Sequence, residues 1–155
     1  MPDRSTLHLT VAAVVCYQQR YLLVEERDKH SGALVLNQPA GHVEHGEDLV
    51  DAMRRELREE TGLELTPTGW LGISQLRAAN GHFYYRVNFI FEPVSLPTRY
   101  APQDPDILAL HWFSVDELAE AALPVRSKLV TAAIDAYQQG IRLPLHALQP
   151  MTDPH

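Results

Sequence analysis

The stretch Glu47–Glu60 holds nine charged residues in fourteen positions, and they are not spread as on a solvated helix. Leu49, Met53 and Leu57 recur at helical spacing with Val50 beside them, so Glu47–Thr61 reads as an amphipathic helix. Glu47 and Asp48 stand at the end where the helix dipole favours anions, and Gly62 supplies the stop. With about 100° per residue and Leu49 at ~0°, the apolar residues span roughly the first 100°. Arg54, Arg58, Asp51 and Arg55 then fall on the outer arc, from about 140° to about 240°. Glu59, Glu56 and Glu60 land near ~280°, ~340° and ~20°. The glutamates therefore flank the core stripe. Three carboxylates crowded at a half-buried edge repel one another and resist desolvation, so a cation must neutralise them. Hard divalent ions take such oxygen ligands, and Mg²⁺ commonly combines a few carboxylates with water and substrate phosphate. With Arg58 on the outer face, a metal site accounts for the arrangement better than a salt-bridge network.

The rest of the chain reads as strands around this helix. Leu9–Tyr17 and Tyr21–Val24 are apolar runs parted by Gln18-Gln19-Arg20, a strand, turn and strand. Asp28–Gly32 is a polar loop, and Ala33–Asn37 a short strand ended by Pro39 and Gly41. Leu63–Leu76 and His82–Phe91 read as strands joined at Asn80-Gly81, a hairpin signal. Four prolines between Pro93 and Asp106 indicate a surface loop before a strand over Ile107–Phe113. Ser114-Val115-Asp116-Glu117 is a capping box, and a last helix spans roughly Val125–Gln139, stopped by Gly140. The pattern predicts a single α/β or α+β domain over residues 1–146, a mixed sheet between helical layers, with a flexible tail over 147–155.

The formal charge of −7 argues against polymeric nucleic acid and against an anionic membrane surface. Seven acids and three arginines give Gly41–Leu63 a charge of −4, so over half of the net charge lies in 23 residues. That is a local cation trap, suited to a small anionic substrate that meets Mg²⁺. The one cysteine, Cys16, excludes an intramolecular disulfide framework. No signal peptide opens the chain, so the cytoplasm is the expected location.

Gly41 is followed by five residues and Glu47, then by seven residues and Arg55-Glu56-Leu57-Arg58-Glu59-Glu60-Thr61-Gly62-Leu63. This resembles the Nudix box, G-x5-E-x7-R-E-U-x-E-E-x-G-U with U aliphatic, at all nine specified positions. A chance match at a given start is on the order of 10⁻⁹. The resemblance implies a Nudix-type α/β/α sandwich and a hydrolase of nucleoside diphosphates linked to another group. It implies that Glu56, Glu59 and Glu60 hold Mg²⁺, or Mn²⁺ in its place, with the Gly41 carbonyl, and that Glu47 pairs with Arg55 to fix loop to helix. Water would attack phosphorus, with Glu56 and then Glu59 as candidate bases. Some family members take an acid from a distant loop, a part open to Asp104 and Asp106.

Pro39-Ala40-Gly41 departs from the frequent Pro-Gly-Gly entry. Asn37–His42, Trp112-Phe113 and Tyr137–Gly140 are similar to one bacterial phosphatase branch of the family. That branch is linked to release of phosphate from nucleoside tri- and diphosphates and from the pyrimidine pyrophosphate precursor of thiamine. Alternatives are an ADP-sugar or dinucleoside polyphosphate hydrolase, or a non-catalytic nucleotide sensor. Against the first two, Ala79-Asn80-Gly81 stands where those subtypes often carry Tyr or Pro. Candidate phosphate contacts are Arg27, Arg77 and Arg86, and Phe83, Tyr84 and Tyr85 are candidates to stack on a flat ring. His42-Val43-Glu44-His45 lacks the spacing of a helical zinc motif. The oligomeric state is not legible.

Overall fold

Residues 6–154 are described by the computed structural model. The first strand, β1 (Leu7–Tyr17), is central. One of its edges pairs in parallel with β6 (Phe83–Phe91), from Leu7↔Phe83 to Val15↔Phe91. β5 (Gly69–Arg77) lies antiparallel beyond β6. The other edge of β1 is shared. Thr10–Ala12 pair with β4 (Ala40–His42), and only Cys16 and Tyr17 pair with β2 (Arg20–Arg27). β2 instead runs between β3 (Leu34–Asn37) and β7 (Ile107–Phe113). A mixed sheet and an antiparallel sheet thus join at the β1–β2 hairpin and part beyond it, leaving a cleft. The hairpin turns on Gln18 and Gln19, both left-handed at φ 48 and 63, the sense that matches strand twist.

Both faces of the central pair are covered, which is why their sequences run continuously apolar. Val11, Ala13, Val15, Val87, Phe89 and Phe91 meet Ala52, Met53 and Leu57 of α1 (Leu49–Thr61). Val14, Ile90 and Leu71 meet Val130, Ala133 and Ile134 of α3 (Lys128–Gln138). Short α2 (Val115–Ala119) opens with the expected capping box at Ser114 and Glu117. The expected α/β/α sandwich with a mixed sheet is what the chain forms. No helix among the described residues is long and apolar enough to cross a membrane.

Three details differ from expectation. The strand read over Leu63–Leu76 begins only at Gly69; Leu63 and Leu65 pack on the α1 side without pairing. β3 ends at Asn37 as expected, but Ala40–His42 then pair with β1 as an unexpected further strand, β4. The last helix begins at Lys128, because Pro124–Arg126 is drawn onto the free edge of β3: Leu36 N donates to Pro124 O and Arg126 N to Leu36 O, both 2.8 Å.

Both ends of α1 are tied down. Asp48 caps its N-terminus, accepting from Asp51 N. At its C-terminus Gly62 is left-handed, φ 80, and a Cβ there would run into the Ala101 backbone. The Pro-rich loop docks on the free carbonyls: Ala101 N donates to Thr61 O (3.0 Å), and Gln103 N and Asp104 N to Glu59 O (2.7 and 3.0 Å).

The C-terminal segment is also seated. Trp70 and Leu143 exchange backbone hydrogen bonds, and Leu145 and Leu148 pack on the core. The Glu92 carboxylate accepts from Tyr137 OH (2.6 Å), Arg142 Nη2 (2.7 Å) and Thr68 OH (2.8 Å). Arg142 above all, with the two hydroxyls, holds it down at about 2. Its stabilisation is present above the ordinary carboxylate range and is lost as pH falls through the folded value. Glu92→Gln should therefore cost about 1 kcal/mol at neutral pH, discounted for exposure. The deficit, read from urea midpoints, should shrink below the ordinary carboxylate pKa.

Candidate active site

β4, α1 and the Pro-rich loop bring the carboxylates together at the mouth of the cleft. Gly41 has no side chain because the Glu56 carboxyl lies where its Cβ would stand. One residue earlier, Ala40 N donates to Glu60 Oε1 at 2.7 Å. Glu60 is buried, and desolvation pushes its carboxyl up to about 9. The Ala40 N–H opposes this, but the charges of Glu26, Glu56 and Asp104 reinforce it. Burial also raises Glu56; Arg55 opposes, while Glu59 and Asp104 add to the rise. Glu59 sits at the rim with a side chain 42% exposed. The three box glutamates thus grade from buried to solvated, as the angular reading of the helix required.

Arg55 departs from that reading. Its position on the wheel faces outward, yet its side chain is only 14% exposed because the long arm folds back over the cluster. Nε and Nη2 donate to the two oxygens of Glu47 (2.6 and 2.8 Å), and Nη2 also donates to His42 O (3.0 Å). Nη1 donates to Glu56 (2.8 Å) and Glu59 (3.2 Å). Glu47 is held at about 2 chiefly by these bonds, and Arg55 is pushed upward by its partners. The pair locks the loop after β4 to α1.

Among the described residues, no three carboxylate, imidazole or thiol groups stand ready around one point for an ion. The donor chemistry nonetheless fits a hard divalent cation. Glu56 and Glu60 are oxygen donors that burial has stripped of water, which raises both carboxyls and leaves their ionised forms in need of a cation. A cationic guanidinium nitrogen already stands between Glu56 and Glu59.

The facing wall comes from β2, β3, β6 and the segment before α3. Glu26 Oε1 accepts from Asn37 Nδ2 (2.9 Å) and Arg126 Nη1 (2.7 Å). Asn37 Oδ1 accepts from Arg86 Nη2 (3.1 Å) and from Gln38 N (2.9 Å). Arg86 is only 5% exposed, and its Nε, with Gln38 Oε1 and Asn88 Oδ1, is buried without a partner. Burial lowers Arg86 to about 10 although Glu60 and Glu26 favour its charge. Sequence reasoning did not single out Glu26 or Arg126. The one available signal was the pair Glu25-Glu26 directly after the apolar run of β2.

The other sequence candidates are dispersed. Arg27 donates to Gly32 O (2.8 Å) and, one residue on from Glu26, points to the opposite face of β2. Arg77 lies over the Phe83 ring, 5.0 Å from its centre. Tyr84 shares the face of Arg86 and stacks on His8 at 4.4 Å, while Tyr85 points to the other face. Asp104 Oδ1 accepts from Asp106 N (2.9 Å), and Asp106 turns away to Lys29 (3.4 Å). His42 bonds His8 (3.0 Å), which bonds His82 (2.7 Å), a chain of imidazoles instead of a convergent site. A cavity of about 970 Å³ lies at the hairpin end between Tyr17, Tyr21, Glu92 and Tyr137, away from the box residues.

Residues 6–133 match the NUDIX domain family. Phosphatase NudJ of Escherichia coli K12 is 39% identical over 142 residues, covering 91% of this chain and 90% of that protein. The solved NUDIX hydrolase from Nitrosomonas europaea is 40% identical with a TM-score of 0.84, covering 93% of this chain and 97% of that one. A MutT NUDIX hydrolase from Burkholderia pseudomallei shares the fold, with a TM-score of 0.69 at 23% identity over 84% of this chain and 97% of its own.

Proposed function

This chain belongs to the Nudix family and is a Nudix hydrolase, and from that premise we propose a Mg²⁺-dependent phosphohydrolase of small pyrophosphates. Its substrates are nucleoside di- or triphosphates or the hydroxymethylpyrimidine pyrophosphate precursor of thiamine, and its place of action is the cytoplasm. The observation that carries this reading is the pair of desolvated carboxylates, Glu56 and Glu60, set against the backbone of Ala40 and Gly41.

Glu56, Glu59 and Glu60 would hold the metal, with Gly41 beside them. The bound cation supplies neutralisation of phosphate charge and a more acidic water. Glu56 takes the proton from the attacking water, since burial raises its pKa and so makes it the better proton acceptor. A water oxygen–phosphorus bond forms as the bridging P–O bond of the anhydride breaks, splitting the substrate into a nucleotide or pyrimidine phosphate on one side and orthophosphate or pyrophosphate on the other. Glu60, pinned by the Ala40 N–H, positions instead of accepting protons. Arg55 and Glu47 hold Glu56 and Glu59 in place, and Asp104 adds a loop carboxylate to the same field.

A panel of nucleoside di- and triphosphates, the thiamine-precursor pyrophosphate, ADP-ribose and a dinucleoside polyphosphate tests the reading. The expected result is release of orthophosphate or pyrophosphate from the first two classes, abolished by EDTA and restored by Mg²⁺ or Mn²⁺. Turnover confined to ADP-ribose or the dinucleoside, or none anywhere, would overturn it.

A further inference from the structure

Three arginines stand beside the carboxylates of the site, and they differ in what they can still bind. Arg55 spends every nitrogen on carboxylates and on His42 O. Arg86 is enclosed, with its unpartnered Nε shielded from solvent. Arg126 is different. Its side chain is 39% exposed, against 11% for the Glu26 that holds it. Among the described residues, its only side-chain hydrogen bond is the one from Nη1 to Glu26 Oε1. Its remaining donors make no hydrogen bond among the described residues, with the Asp28 carboxylate near enough to feel its charge, and a guanidinium fork matches two phosphate oxygens.

Its backbone is fixed, and among the described residues its arm is held by Glu26 alone. Arg126 N donates to Leu36 O, so the residue is strapped to the edge of β3 next to Asn37. Glu26 accepts from Asn37 and Arg126 on the same oxygen, so Arg126 stands one hydrogen-bonded group away from the Asn37 that Arg86 holds. The opposite side of the cleft carries Glu56, Glu59, Glu60 and Asp104. A polyphosphate facing that much negative charge needs a cation on its other side.

We propose that Arg126 is the phosphate-binding arm of this site, donating bidentately to a phosphate group of the substrate on the side away from the glutamates. Glu26 parks the arm when no phosphate is present. The inference rests on the phosphohydrolase reading and adds the residue that reads the anion.

Two measurements test it. In the first, inorganic pyrophosphate with Mg²⁺ is added to the full chain and the melting temperature is followed. Wild type should be stabilised, Arg126→Ala should lose most of the shift, and Arg126→Lys should keep part of it, each shift read against the variant's own ligand-free melting temperature, which the loss of Glu26's partner lowers in Arg126→Ala. In the second, Arg126→Ala should raise KM for the best panel substrate about ten- to hundredfold, with a much smaller change in kcat. A wild-type shift that Arg126→Ala retains in full overturns the proposal, as does the absence of any wild-type shift. A large fall in ligand-free stability with kcat and KM damaged together also overturns it, because that is the signature of a brace. If the wild type turns over nothing in the panel, the hydrolytic reading fails, while the pyrophosphate shift still decides the role of Arg126.

Discussion

Glu59→Gln should lower kcat by about three orders of magnitude or more while the melting temperature barely moves. The side chain stands at the rim, 42% exposed, and its one ion-pair partner among the described residues, Arg55, keeps Glu47 and Glu56. Nothing in the core depends on it. Glu60→Gln should be as inactive, but with the opposite mark on stability. Glutamine keeps an oxygen for the Ala40 N–H and removes a carboxyl that burial pushes up to about 9. A raised carboxyl pKa leaves stability intact below the unfolded value and withdraws it as pH climbs through the folded one. The Gln variant should therefore match wild type near pH 4 and melt higher from neutral pH to about pH 9 in metal-free buffer. Thermal melts across that range, beside phosphate-release assays, check both halves. Full activity in both variants would sink the assigned chemistry. A stable, inactive Glu60→Gln is what a site that sacrifices stability for function predicts.

The legible parts of the site share one property: they lie within one helix and the turn before it. The angular offset of Glu56, Glu59 and Glu60 is a local consequence of helical pitch, so it could be read from residue spacing alone. Gly62 was legible as a stop, but its contact with Ala101 was not, since the loop returns some forty residues later. Arg55 was misplaced because a wheel records Cα direction, and a guanidinium arm is long enough to fold back over the next turn. Glu26 and Arg126 were invisible for a stronger reason. They are a hundred positions apart, and only the strap of Pro124–Arg126 on β3 joins them. Arg86 was noticed by residue type, yet nothing in its strand says that it is sealed while its neighbour in space is open. Among the elements, β4 was lost because three residues after a proline carry too little pattern to mark a strand.

Arg55→Ala should be the most destabilising single change at the site, by about 3–5 kcal/mol. The guanidinium is 14% exposed and touches Glu47 and Glu56, whose side chains are 18% and 13% exposed, as well as Glu59 and His42 O. Removing it strands those carboxylates with no cation beside them, which costs more than the pair itself contributes. Lysine should recover only part, since one ammonium cannot span Glu47, Glu56 and a carbonyl at once. Glu47→Ala should cost less alone, and the double variant less than the sum, because the second removal relieves the charge left by the first. The pH dependence has a definite sign. Arg55 above all holds Glu47 at about 2, so its stabilisation is present above the ordinary carboxylate range and fades as pH falls through that value. The gap between wild type and Arg55→Ala in urea midpoints should be wide at pH 7 and should narrow steadily in acid. A gap below about 1 kcal/mol at pH 7 would place Arg55 among ordinary surface ion pairs. The loop after β4 would then need some other anchor to keep Gly41 against Glu56.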